Sequence, residues 1–345
     1  MSTGAGTAAP YPKIELHVHL EGTVRAKTLF EIAARNGVRL PVATEHELEE
    51  LYRYRGFERF SEIWSMTTHA MMTGVDHRKM ICGYAKEAGR QGAVYLEIIF
   101  SPGERVRSGA NWGDLFSGAC DGVSEAWERY GVEVRLTPDI SRDLEGADPV
   151  AYGEETARWA VRYRDRGVVG LGLGGDERVP AAPFARAFAV ARDGGLGSVP
   201  HAGEGRGPVS VREALDLLLA DRIRHGILAV RDPGLVRELA ERGIVLDVAP
   251  TSNVVTRSVA SLDEHPLPDL LAAGVRCSLN TDDPAMFGTD LTREHDLAIA
   301  RLGADPRALY FAGVEGALCD EATRDRLRAI GESYDWSPVS PSSPG

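Results

Sequence analysis

Short runs of branched apolar residues alternate with amphipathic helical stretches along almost the whole chain, and few folds accept that rhythm. The strand-like runs are 13–18, "AVYLEIIF" (93–100), "VEVRLTP" (132–138), "VVGLGLG" (168–174), "LGSVP" (196–200), "RIRHG" (222–226), "IVLDVAP" (244–250) and "VRCSLN" (275–280). Several lack clean alternation, as strands covered on both faces do. Helical spacing of apolar residues fills 112–129, 150–164, 208–219 and 233–241. In "DPGLVRELAERG", Asp232 and Pro233 open a helix and Gly243 closes it. Eight β-then-α units predict an α/β chain folded as a (β/α)8 TIM barrel, with a doubly wound open sheet as the alternative. A barrel needs roughly 250 residues, so 345 leave room for insertions in one domain over 11–334. Residues 1–10 and the Pro/Ser-rich tail 335–345 are expected to be disordered. Segment 38–76 is too long for an ordinary βα loop. It contains "FERFSEIWSMTTHAMM" and is expected to form a helical hairpin after strand one, a lid over the barrel mouth. Phe60, Ile63 and Trp64 would line that lid against a flat ligand, although packing between helices explains them equally well.

Composition excludes some roles. A net charge of −12 counts against sequence-independent binding to nucleic acid or an anionic membrane. The four cysteines (Cys82, Cys120, Cys277, Cys319) form no CxxC and read as free thiols of a reducing compartment. "MSTGAGTAAP" has neither the basic nor the apolar region of a secretory signal, and no apolar run approaches spanning length. A cytoplasmic protein is the expectation.

Functional residues of a barrel sit at the C-terminal ends of its strands. "KIELHVHLEG" ends strand one with His17 and His19, which share one side because residues i and i+2 of a strand do. "HAGE" (201–204) follows strand five, His225 ends strand six and "NTDDP" (280–284) follows strand eight. Taken singly, each piece has an ordinary explanation: a surface pair, a turn, a core histidine, a helix cap. All four falling at the same kind of position makes coincidence the weaker account. His17, His19, His201 and Asp282 suit one Zn²⁺ per chain with room for a water that the ion acidifies. Glu204 suits a proton carrier, and His225 a group that orients and deprotonates that water. Asp283, beside a charged Asp282 in a dry pocket, would hold its proton and donate a hydrogen bond. His46, His69, His77, His265 and His295 read as structural.

"KIELHVHLEG", "GLGGDE" (172–177), "HAGE", "RIRHG", "TSN" (251–253) and "SLNTDDP" (278–284), in this order, resemble the adenosine/adenine deaminase family of the amidohydrolase superfamily, from about residue 11 to 330. The resemblance implies a zinc-dependent barrel that hydrolyses the 6-amino group of a purine and releases ammonia. It implies His17, His19, His201 and Asp282 as metal ligands, Glu204 as the acid toward purine N1 and His225 as the base for water. Asp283 would donate to N7, and the Gly175 N–H would serve N3. His19, Glu21, Phe60 and Trp64 complete the expected substrate contacts.

Two departures bear on the substrate. Adenosine-specific members commonly read "HLDG" where this chain has Glu21, which reaches further into the expected sugar region. Adenine-acting relatives often carry Glu there, while "PTSN" (250–253) points back to nucleosides. Arg224 stands where the family usually has glycine. It is placed to contact an acidic group of a modified nucleoside such as aminodeoxyfutalosine, or, if alternation turns it to the helix layer, to form a structural ion pair. Adenosine or 2′-deoxyadenosine is the first expectation, with adenine or an aminodeoxyfutalosine-type nucleoside as the alternative. A lactonase or phosphoesterase would want a mid-barrel lysine bridging two metals, and none stands at a strand end. A non-catalytic barrel would be expected to have lost some of these residues. The partner expected is a small purine, and a homo-oligomer is possible.

Overall fold

The computed structural model describes residues 10–53, 57–144, 146–337 and 339. The expected disorder of 1–9 and of most of the tail, and residues 54–56 of the insertion, lie outside them. The strand runs pair as parallel neighbours: β1 (Lys13–His19), β2 (Ala93–Phe100), β3 (Glu133–Ser141), β4 (Gly170–Gly174) and β5 (Gly197–Ser198) form one arc. A second arc holds β6 (His201–Ala202), β7 (Arg222–His225), β8 (Val245–Val248) and β9 (Arg276–Leu279). β5 and β6 are one stave interrupted at Val199–Pro200, which is the single expected strand "LGSVP" carried two residues further. The ring closes where Asp282 N–H donates to His17 C=O at 3.1 Å and His19 N–H donates to Asp282 C=O at 2.8 Å. Eight staves with helices outside make the α/β barrel that the alternation predicts.

Register follows burial. All seven residues of β1 are buried, so even its polar members need internal partners. Glu15 accepts from Tyr84 and Thr281, and Arg222 crosses to Glu97 and Asp247, each at 2.6 Å. The helices stop where their sequences say: Asp232 caps Pro233–Arg242 by accepting from Gly234 and Leu235, and Gly243 ends it in the left-handed region.

Between β1 and the outer helix Gly74–Arg90 lie helices Ala26–Asn36, Glu45–Leu51 and Phe57–Ala70. Phe57–Ala70 packs its Ile63 against Met286 and Phe287, with Phe60 and Trp64 beside them. This segment stands next to the C-terminal ends of the staves.

Candidate metal centre and active site

The left-handed backbone at two residues builds the site. His225 (φ 61°) and Asp282 (φ 62°) adopt a conformation that side chains other than glycine resist. At Asp282 it coincides with the two backbone bonds that close the ring. At His225 it breaks the alternation of β7, and this corrects the expectation for Arg224. Arg224 does not face the helix layer. Its guanidinium reaches Thr137 and Asp139 on β3, which β4 and the β5/β6 stave separate from β7, so it crosses the barrel interior. The ion pair with Asp139 is structural, and Arg224 does not line the substrate cavity. Gly172 makes the crossing possible, since a Cβ there would overlap both Arg224 and Asp139.

Five side chains converge. His17 Nε2 lies 3.1 Å and His19 Nε2 3.4 Å from Asp282 Oδ1, and His19 and His201 bring their Nε2 atoms within 3.1 Å. Ligands of one tetrahedral zinc stand about 3.3 Å apart, given Zn–N distances near 2 Å. Potential ligand atoms of His17, His201, His225 and Asp282 also lie within 4.8 Å of one another. Proton placement sorts these candidates. The Nδ1 of His17 faces Asp247 C=O at 3.4 Å, and that of His201 faces Leu173 C=O at 3.2 Å with Asp139 Oδ2 at 3.3 Å. A carbonyl can only accept, so both carry the hydrogen at Nδ1 and present a bare Nε2.

His225 is the opposite. Leu267 N–H donates to His265 Nδ1, so the His265 hydrogen sits on Nε2 and donates to Asn253 Oδ1 at 3.1 Å. Asn253 therefore turns its amide nitrogen to His225 Nδ1, at 3.1 Å, and the His225 hydrogen stands on Nε2. That N–H faces Glu204 Oε2 at 3.4 Å and Asp282 Oδ2 at 3.8 Å. A ring nitrogen that bears hydrogen neither binds a metal nor takes a proton. His225 thus stands outside the ligand set, and it is presented as a donor instead of the expected base.

The donor chemistry fits a cation. His17 Nε2 is buried with no hydrogen-bond partner among the described residues. Burial and the neighbouring histidines hold His19 and His201 well below the usual histidine range, so both are neutral. Burial works against charge on Asp282, yet His17, His225 and His19 keep its carboxyl well below the usual range. Ser252 Oγ donates to Asp282 Oδ2 at 2.6 Å. Burial, with Asp282 and Glu21 nearby, pushes Asp283 well above the usual carboxylate range, so Asp283 keeps its proton. Its Oδ1 is buried without a hydrogen-bond partner among the described residues.

A cavity of about 330 Å³ opens from this cluster. His19, His201, His225, Glu204, Asp282, Asp283 and Gly175 line it, as do Phe60 and Trp64. Ring centroids of Trp64 and His19 lie 5.2 Å apart, and those of Phe60 and Phe287 5.1 Å. Gly175 (φ 89°) occupies a turn that other residues strain to adopt. Glu21 is not on this wall. Its Oε1 accepts from Ser101 N–H at 3.0 Å and pairs with Arg105 at 2.8 Å, while Oε2 is buried without a partner among the described residues, so the residue does not reach the cavity as the expected sugar contact.

Several residues here escaped the sequence reading. Glu177 receives the N–H groups of Glu204, Gly205 and Arg206 and fixes the "HAGE" loop. Thr256 and Ser258 donate to Glu204 Oε1 at 2.9 and 3.2 Å, which leaves Oε2 for the cavity. "GGDE" and "TSN" held the signal for Glu177 and Asn253, but their partners are distant in sequence.

Comparison with known proteins agrees with this geometry. The adenosine deaminase family model matches residues 12–330. The chain belongs to the adenosine deaminase family. It is 52% identical over 333 residues to an aminodeoxyfutalosine deaminase of Acidothermus cellulolyticus, covering 94% of this chain and 92% of that protein. It is 38% identical to an adenine deaminase of Streptomyces coelicolor, covering 94% and 96%. An amidohydrolase structure from Burkholderia ambifaria with bound zinc superposes with TM-score 0.85 at 29% identity, covering 98% and 94%. The members of the family are hydrolases of C–N bonds, and this chain is such a deaminase, acting on small purine compounds through a metal-competent His/Asp site. Among the described residues no helix is long and apolar enough to cross a membrane.

Proposed function

We propose that the chain is a zinc-dependent deaminase of an adenine nucleoside extended beyond its sugar, of the aminodeoxyfutalosine type. The observation that carries this reading is the 52% identity to the Acidothermus enzyme across nearly the whole chain. Adenosine itself, the first expectation from sequence, has less support. The placement of Glu21 also weakens the reason it gave for preferring free adenine, because the residue is buried behind the cavity wall with Oε1 held by Arg105 and Ser101.

His17, His19, His201 and Asp282 would hold the ion. Bound there, it supplies a Lewis acid that makes water nucleophilic near neutral pH. Glu204 takes a proton at Oε2 and delivers it to purine N1, which draws electrons from C6 and opens that carbon to attack. His225, with its hydrogen on Nε2, donates toward the oxygen that arrives at C6 and stabilises the charge there. Protonated Asp283 donates to N7 and the Gly175 N–H to N3, while Trp64 and Phe60 exclude water from the cavity. As the water oxygen bonds to C6, one water proton restores Glu204; the remaining hydroxyl proton then passes to the 6-amino group, the C6–N bond breaks, ammonia leaves and the 6-oxopurine remains.

The test is an ultraviolet assay of the zinc-loaded protein on aminodeoxyfutalosine, adenosine, 2′-deoxyadenosine and adenine side by side. The expected result is the highest kcat/KM on aminodeoxyfutalosine. Preferential turnover of adenine or adenosine would overturn the reading.

A further inference from the structure

With the purine held by Glu204, Asp283 and Gly175, one wall of the cavity is left for whatever the base carries. Helix Phe57–Ala70 and the short helix Pro102–Arg107 contribute to that wall. Glu104 and Arg107 stand three residues apart on the latter, a spacing at which opposite charges usually pair. They do not pair here. Trp64 Nε1 donates to Glu104 Oε2 at 3.1 Å and Ser141 Oγ to Oε1 at 2.6 Å, which ties the carboxylate to the cavity wall. Arg107 is left exposed at the rim with no ion pair among the described residues. It is the sole arginine or lysine among the described cavity-lining residues, in a cavity otherwise rich in carboxylates. Asp143 shares the rim, with no ion pair within 4.0 Å among the described residues, so an incoming anion meets carboxylates as well and has to reach the guanidinium directly.

We propose that Arg107 is the specificity residue for a carboxylate carried at the far end of the nucleoside substituent, and that Glu104 keeps it available by bonding to Trp64 and Ser141. This rests on the reading of the chain as a nucleoside deaminase and names the feature of the substrate it selects. A planar guanidinium suits a carboxylate because it can bond both oxygens at once.

The experiment compares aminodeoxyfutalosine with its carboxylate methyl ester, which keeps shape and removes charge, in wild type, Arg107→Ala and Arg107→Lys. Wild type is expected to prefer the acid by about tenfold to a hundredfold in kcat/KM, mostly through KM. Arg107→Ala should abolish that preference and Arg107→Lys restore part of it. An Arg107→Ala enzyme that still prefers the acid overturns the proposal while leaving the nucleoside reading intact. A wild type that ignores both compounds and deaminates adenine alone overturns the two together.

Discussion

At the scale of single residues, hydrogen placement separates groups that look alike in the sequence. His17 and His201 bind carbonyls through Nδ1, whereas His225 receives a donor there, so three histidines at strand ends take two different roles. Glu204→Gln should keep stoichiometric metal by atomic absorption and lower kcat by about 10² to 10⁴. Normal turnover by that variant would remove Glu204 from proton transfer. Asn253→Ala should release the His225 tautomer and lower kcat with metal content unchanged. Asn253→Asp, whose carboxylate cannot donate, should fail to rescue it. Loss of metal in Asn253→Ala would instead place His225 among the ligands. Arg224→Met leaves the Asp139 carboxylate buried without its cation, a loss worth about 3 to 5 kcal/mol in denaturant unfolding. Asp139 also faces His201, so metal affinity should fall as well. Substrate preference should not move, which distinguishes this buried role from a contact with the substrate.

At the scale of elements, the staves and their C-terminal ends were legible because burial on both faces and two-residue periodicity are local properties. "HVH" put His17 and His19 on one side of β1, whereas the carboxylates of Asp282 and Asp283 do not diverge as an extended chain would make them: Asp282 is left-handed, and the two stay close together beside His19. What escaped detection depended on backbone that pattern does not announce. The left-handed turn at His225 carries that ring to the mouth while Arg224 keeps the interior side it shares with Arg222, and an arginine from an adjoining helix pairs with Glu21. His265 reads as an isolated structural histidine until the fold brings it to Asn253. Helix Phe57–Ala70 was foreseen as a helix, and its Trp64 joins His19 to Glu104. Trp64 also lines the cavity, so Trp64→Ala should raise KM by about tenfold, one aromatic contact with a bound ring being worth roughly 1 kcal/mol. A change confined to kcat would assign Trp64 to the reaction and not to binding.

At the scale of the whole molecule, acidity and metal act on the fold together. Burial, with Arg105 nearby, lowers His77 to about 3. An unfolded histidine takes up its proton near 6.5, so the folded form binds fewer protons between those values. The contribution of His77 is complete above pH 6.5 and is lost as pH falls from there toward 3. His77→Gln, which cannot charge, should show a shallower loss of unfolding free energy than wild type across that window. Parallel curves would show that His77 charges in the folded state. Chelation should lower the melting temperature, because an ion bound only by the folded chain stabilises it in proportion to the logarithm of its excess. The bonds between His17 and Asp282 carry this further. They join the first strand to the residues just past the last, so during synthesis the centre has no existence until the final stave leaves the ribosome. A chain cut short before Asp282 therefore lacks both closing bonds, however well its earlier staves have folded.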